Sequence, residues 1–275
     1  MKYARQRTAS AARVRGITST AFPWTLRSRP NLPPSTVNAV DGDADIAGLA
    51  AVLAEPARAR VLLALSDGRA LAASVLASEA GVARSTASEH LAKLVDAGLV
   101  SVERHGRHRY HRLAGPHVAE LVETMARHTR PAPIRSLRDG SRAQALRAAR
   151  TCYDHLAGRL GADLMAAMID VGMLTGGDGR RTPRDRLSAP GRDVDYALSA
   201  AGAEKLARFG VDPALRIRYC VDWSEQRHHL AGPLGAALCA RMLELGWIRR
   251  RERHRAVAVT PEGAAGIERV FGFAP

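Results

Sequence analysis

Two short stretches of the chain each bring a thiol, a carboxylate and an imidazole close together. One is Cys152-Tyr153-Asp154-His155; the other is Cys220-Val221-Asp222-Trp223, followed by His228 and His229. Thiolate, carboxylate and neutral imidazole are the groups that bind zinc and other borderline metals. Cys152, Asp154, His155, Cys220, Asp222 and His229 are therefore candidate ligands for a metal or another effector. A symmetry axis between the stretches would let all six converge. Other readings stay open. Asp before a helix is an ordinary N-cap, buried Cys behaves as a small hydrophobe, and Cys152 and Cys220 could form a redox pair. An enzyme with Cys152 as nucleophile, Asp154 as orienter and His155 as base is disfavoured, because helical neighbours diverge by about 100°. No nucleophile elbow, phosphate loop or dinucleotide fingerprint occurs. Cys239 falls at the spacing of Leu234, Leu238 and Met242 and is expected in the core.

The elements around these residues are duplicated. His155-Leu156-Ala157-Gly158-Arg159-Leu160-Gly161 recurs as His229-Leu230-Ala231-Gly232-Pro233-Leu234-Gly235, and Met168 and Gly172 recur as Met242 and Gly246. Gly202 and Gly263 close the two units, each followed by a short helix. Each unit reads as helix, turn, strand pair, Gly, helix, with a Gly-rich insert from Thr175 to Arg192 in the first. Such a repeat predicts two units packed about a pseudo-twofold axis. The basic stretch Arg249 to Arg255 reads as a solvated hairpin of the second unit, with a second DNA contact as the other reading.

A different chemistry lies upstream. Arg84-Ser85-Thr86-Ala87-Ser88-Glu89-His90 presents hydroxyl and charged groups suited to hydrogen-bonding base edges and phosphates. The spacing makes this a helix, with Ala87, Leu91, Leu94 and Val95 facing a core, Arg84, Ser88, Glu89 and Lys93 facing outward, and Ser85 as N-cap. Before it, Ala72 to Ala80 forms a helix that ends at Gly81, a turn position needing positive φ. The pair has the helix-turn-helix pattern. Helices over 46–53 and from Pro56 to the Ser66-Asp67-Gly68 stop precede it. Two alternating segments on either side of Gly106 form a wing with Arg104, Arg107 and Arg109 at its tip, and Pro116 to His128 is a further amphipathic helix. The expected DNA contacts are Arg84, Ser85, Thr86, Ser88, Glu89, His90 and Lys93 from the helix and Arg104, Arg107 and Arg109 from the wing. His90 has a second reading, a hydrogen bond inside the helix pair.

The 275 residues carry a formal charge of +14. That balance favours polyanionic partners through counterion release, although it is ordinary in an Arg-rich proteome. No run approaches the roughly 20 apolar residues of a membrane span. Residues 1–41 are basic and acid-free until Asp41, with Pro30, Pro33 and Pro34 reading as linker; a disordered arm is expected rather than a targeting segment. Three Cys residues make no disulfide framework, so a reducing cytoplasm is the expected location.

From Ile46 to about His128 the chain resembles the ArsR-type winged-helix repressors. The likeness is carried by Ala54-Glu55-Pro56-Ala57-Arg58, Ser85-Thr86-Ala87-Ser88-Glu89-His90-Leu91, Leu94-Val95-Asp96-Ala97-Gly98-Leu99-Val100 and Gly106-Arg107-His108-Arg109-Tyr110. The resemblance implies a homodimer that binds double-stranded operator DNA and releases it when an effector arrives. Glu89 stands where members often carry a basic residue. The helix Ala72 to Ala80 lacks the paired thiolates of the metal-sensing branch.

The expected fold class is α+β, mainly α with small β-hairpins: a winged helix-turn-helix followed by two repeated winged-helix-like units. Residues 42–130 are the DNA-binding domain and 131–150 a linker or helix. Residues 151–275 are a duplicated sensor or dimerisation domain, with units at 151–210 and 219–275. The expected function is a sequence-specific DNA-binding regulator, a homodimeric repressor with its effector sensed in the second half. The alternative is an architectural or protein-interaction winged-helix protein. No cofactor is fixed by the sequence; a transition metal such as zinc is the candidate.

Overall fold

Apolar residues at helical spacing build α1 (Ile46–Leu53) and α2 (Pro56–Leu65), with Pro56 in the first turn, where its missing N–H costs nothing. This computed structural model describes residues 44–129, 133, 136–185, 191, 193–251 and 254–275. The expected basic arm at 1–41 lies outside them. A two-residue strand, β1 (Leu71–Ala72), leads into α3 (Ala73–Ala80), which stops at Gly81 with φ of 70°. Then come α4 (Arg84–Asp96), β2 (Val100–His105), β3 (His108–Leu113) and α5 (Pro116–His128). The three strands form an antiparallel sheet in the order β1-β3-β2. Val61, Leu62, Leu65, Leu76, Leu91, Leu94, Leu99 and Val118 fill the core beneath them.

Two local expectations are corrected here. Ala72 belongs to β1, paired with Tyr110, rather than to the following helix. Ser85 is not an N-cap: α4 begins one residue earlier, and its cap, Ala83, makes no side-chain hydrogen bond. That leaves the Ser85 hydroxyl exposed in the first turn.

After α6 (Leu137–Ala148) the duplication appears in three dimensions. The first unit is β4 (Arg150–Cys152), β5 (His155–Ala157), α7 (Gly158–Asp170), β6 (Leu174–Thr175), β7 (Ala197–Leu198) and α8 (Ala200–Phe209). The second is β8 (Arg218–Val221), β9 (His228–Ala231), α9 (Gly232–Glu244), β10 (Ile248–Arg250), β11 (Val257–Val259) and α10 (Pro261–Phe271). Each unit therefore opens with a β-hairpin that the sequence reading had passed over. Cys152 pairs with His155 across the first hairpin and Cys220 with His229 across the second. The Cys–His spacing differs between units only because the second hairpin has the longer loop.

The units pack reciprocally. A Cβ at Gly161 would sit 2.5 Å from the Leu156 carbonyl oxygen and 3.5 Å from His229 Cβ; one at Gly235 would sit 2.6 Å from the Leu230 oxygen and 3.2 Å from His155 Cβ. The first turn of each long helix thus lies against the other unit's hairpin, as a pseudo-twofold axis requires. Leu164, Met168, Leu234, Leu238, Met242 and Phe271 share one core, and Cys239 lies in it as its spacing suggested. Ser199 and Thr260 cap equivalent helices through the Gly202 and Gly263 amides. There is no room for a methyl at Gly263, where a Cβ would approach the Trp247 oxygen to 1.9 Å. Gly263→Ala is expected to cost about 1–3 kcal/mol through overpacking, read as a lower denaturant midpoint with an unchanged slope.

Residues 45–275 pack as one unit. Tyr153 N donates to the Ser66 carbonyl at 2.9 Å, Arg250 to the Asp67 carbonyl at 3.3 Å, and Arg69 to the Arg251 carbonyl at 3.2 Å. The basic stretch of the second unit is thereby turned toward α2's end. Buried Arg255 pairs with buried Glu123 of α5. Among the described residues no helix is long and apolar enough to cross a membrane.

Candidate nucleic-acid interface and buried Cys–His cluster

The outward face of α4 follows from its period: with Ala87, Leu91 and Leu94 buried, Arg84, Ser85, Ser88, Glu89 and Lys93 are exposed and Thr86 is half-buried. Ser88 Oγ donates to the Arg84 carbonyl at 3.0 Å, so its lone pairs remain for an outside donor. His90 is half-buried, and its Nδ1 is enclosed with no hydrogen-bond partner. The expected hydrogen bond inside the helix pair is therefore not made through that nitrogen. In the wing, Arg104 lies directly across from Arg109, and both are exposed together with Arg107 at the Gly106 turn. Glu103 is held away from the tip by Arg112 at 2.6 Å, an ion pair that keeps its carboxyl below the usual range. The wing tip is thus basic on both strands.

The two Cys–Asp–His sets do come together, though not as six ligands. One ligand atom each from Cys152, His155 and His229 lies within 4.8 Å of the others. Cys220 faces His229 across the second hairpin and lies outside this set of three. Behind them stand the aspartates. His155 Nδ1 lies 2.9 Å from Asp154 Oδ1, and His229 Nδ1 lies 3.2 Å from Asp222 Oδ2. The Asp154 carboxylate fixes the His155 ring and leaves its Nε2 free to act, whereas His229 Nδ1 sits beside Asp222 without hydrogen-bond geometry. Both Nε2 atoms are buried without a hydrogen-bond partner. Asp222 is engaged through both oxygens and Asp154 through Oδ1, and neither belongs to the converging set of three, so both are corrected from direct ligands to residues that stand behind the imidazoles.

Asp222 also ties the units together. It accepts from Arg150 at 2.9 Å on each oxygen, from the Gly158 amide at 2.7 Å and from the Ser224 amide at 2.8 Å. Burial alone would raise its pKa, but His229, Arg150 and Ser224 together hold the carboxyl far below the usual range. Burial would likewise raise Glu123, and the Arg255 and Arg150 charges pull it below the usual value. The Arg255 carbonyl accepts from the Thr151 amide at 3.0 Å, next to Cys152. A continuous path of buried polar contacts therefore runs from α5 to the thiols.

The hydrogen bond with Cys220 and burial push the Cys152 thiol up to about 12, so at neutral pH it is protonated and a poor nucleophile. Burial opposes a charge on His155, whereas the Cys152 sulfur and Asp154 favour it and lift its pKa to about 9. With a neutral thiol beside it, Asp154 is the partner that keeps this upward direction. The helical-divergence argument against catalysis does not apply, because Cys152, Asp154 and His155 stand on a hairpin.

Sequence reasoning missed Arg150, Glu123 and Arg255, whose partners are distant in sequence. It also missed a buried network in which His228 bridges the Tyr196 hydroxyl at 2.7 Å and Asp185 at 3.1 Å. Only the neighbouring His228-His229 pair hinted at it.

Residues 53–103 match the family model described as a helix-turn-helix domain. The HTH-type transcriptional regulator YdfF of Bacillus subtilis is 37% identical over 232 residues, spanning 82% of this chain and 96% of YdfF. The HTH-type transcriptional regulator CmtR of Mycobacterium tuberculosis is 39% identical over 84 residues, 29% of this chain and 70% of CmtR. Among solved structures, NolR from Sinorhizobium fredii aligns with 28% identity over 31% of this chain and 85% of its own, at a TM-score of 0.29. Sharing nearly the whole of YdfF and matching the helix-turn-helix model, the chain belongs to the HTH-type transcriptional regulators.

Proposed function

We propose that the chain is a homodimeric repressor that reads double-stranded operator DNA and releases it when an effector is sensed in the repeats. Residues 42–130 are the reader and 151–275 the sensor. The observation that carries the reading is the exposed face of α4 continued by a basic wing tip. Arg and Lys there suit phosphates and guanine edges, Ser suits either partner of a base pair, and Glu89 suits the cytosine amino group. Dimerisation is supported by α1: all eight of its residues are apolar or Gly, none is buried, and Ile46 is 75% exposed. A second copy would cover them. Sensing is supported by the polar path from the Cys–His cluster through Arg255 to Glu123 on α5.

The test is to incubate the full chain with fragmented genomic DNA and sequence what it retains. The expected result is an inverted repeat with half-sites about 10–10.5 bp apart or a multiple of that, as two-fold dimers require. Glu89→Ala should relax preference at one base position, losing about 1–3 kcal/mol of discrimination, with the other positions unchanged. Retained fragments sharing no sequence would favour the architectural alternative instead. Failure to retain DNA at low salt would favour a protein-interaction role.

A further inference from the structure

We infer that Cys152, His155, Cys220 and His229 form a tetrahedral site for one divalent ion of the zinc class, held on the pseudo-twofold axis between the repeats. The inference concerns the repeats alone and holds whether or not the ion controls DNA binding.

Four observations carry it. Three donors converge: one ligand atom each from Cys152, His155 and His229 lies within 4.8 Å of the others, with Cys220 across the second hairpin from His229. Each imidazole has a carboxylate beside its Nδ1, and His155 hydrogen-bonds to its own, the arrangement that metal-bound histidines use. Both Nε2 atoms are buried and unpartnered, with His155 6% and His229 2% exposed. A buried polar atom left unpaired is costly, and a metal bond at each Nε2 would remove that cost. Finally, the strand register is symmetric: each unit places one Cys across from one His on its own hairpin, and this register makes Cys220 the fourth donor beside the converged three.

The chemistry of the set selects the ion. Two sulfurs and two nitrogens in a closed tetrahedron suit zinc, and hard oxygen-seeking cations such as Mg²⁺ or Ca²⁺ find no donors to their taste. On binding, the two thiols, and each imidazole that carries a second proton, release those protons to solvent. Two thiolates and two neutral imidazoles then balance a 2+ ion, so the centre carries no net charge into a buried place. All four positions are taken by protein, which makes the site a structural or regulatory clamp rather than a catalytic one.

The experiment uses full-length, tag-free protein stripped with a chelator under reducing conditions and titrated with Co²⁺ alone. The expected result is saturation at about one equivalent per chain, with sulfur-to-cobalt charge transfer and the strong visible bands of a tetrahedral site, both erased by added Zn²⁺. Cys152→Ser and His229→Gln should each lose this signature, while Cys239→Ser keeps it. His229→Cys, which retains a ligand, should keep tetrahedral bands with added sulfur character, separating loss of ligand from loss of fold. Weak octahedral bands, no bands in the wild type, or an unchanged spectrum in Cys152→Ser would overturn the site. So would a Cys152–Cys220 disulfide that forms in air at the same rate with and without Zn²⁺.

Discussion

Asp222→Ala is expected to lower the unfolding free energy by about 3–5 kcal/mol, the range for removing one partner of a buried ion pair. The substitution leaves the Arg150 guanidinium, itself 1% exposed, without its carboxylate, and it orphans the Gly158 amide in the same step. Trp223, whose ring lies 4.6 Å beneath the guanidinium, cannot replace a charge. Asp222→Asn should lose less, because the amide oxygen still accepts some of these hydrogen bonds. The double change Arg150→Met with Asp222→Leu should recover part of the loss, since the Ala variant's penalty comes mainly from a stranded charge. The effect has a pH signature. The folded-state pKa of Asp222 lies below its unfolded value of about 3.9. Its contribution is therefore fully present above that value, shrinks progressively as pH falls below it, and is lost only as pH falls through the folded-state pKa. Wild-type and Asp222→Ala stabilities should differ most at neutral pH and converge in acid. A constant difference across that range would show that packing, and not the charge, is what Asp222 supplies.

The second large effect concerns DNA. The triple change Arg104→Ala, Arg107→Ala and Arg109→Ala removes three exposed cations from the wing tip without touching a buried residue. If each neutralises one phosphate, the slope of log K against log salt should flatten by about 0.9 per contact, or about 2.7 in all. At 0.1 M salt this corresponds to about 500-fold weaker binding, the same for specific and unrelated sequences. Arg208→Ala on α8, exposed and paired with Glu204, should leave both quantities alone. Equal slopes for the triple variant and the wild type would take the wing out of the interface. The contrast with Glu89→Ala is the informative one, because there the sequence preference moves and the salt slope does not.

The reader was largely legible in the sequence because its signals are local. Leu91 and Leu94 recur at helical spacing, Gly81 and Gly106 punctuate, and the wing strands alternate; each observation decides an element within a dozen residues. The capping residue was misjudged because Ser85 is a good cap by type, whereas the chain turned at Ala83, where no side chain competes. The hairpins β4–β5 and β8–β9 were hidden because three- and four-residue strands are too short to show a period. One trace of them was present: the Cys residues repeat at a shorter offset than the His residues, and a helix could not absorb that difference as the loop of a hairpin does. The candidate ligands were found because their types are rare, but which of them face one another depends on register, which composition does not encode. Arg255 and Glu123 could not be matched at all; they lie 132 residues apart, and either could have been paired with solvent.

The duplication lies within one polypeptide, and this changes how the cluster responds to dilution. An ion held between two separate subunits is lost when the subunits part, so its occupancy falls with protein concentration. Here the two halves are covalently joined, and their effective concentration is fixed by the chain between them. Occupancy then depends only on free metal, however scarce the protein becomes. The same covalent linkage frees the halves to differ. Asp154 is half exposed while Asp222 is sealed, so one imidazole meets water through its carboxylate and the other does not. A symmetric pair of identical subunits could not keep that asymmetry, and each half of this centre can be tuned by a single codon.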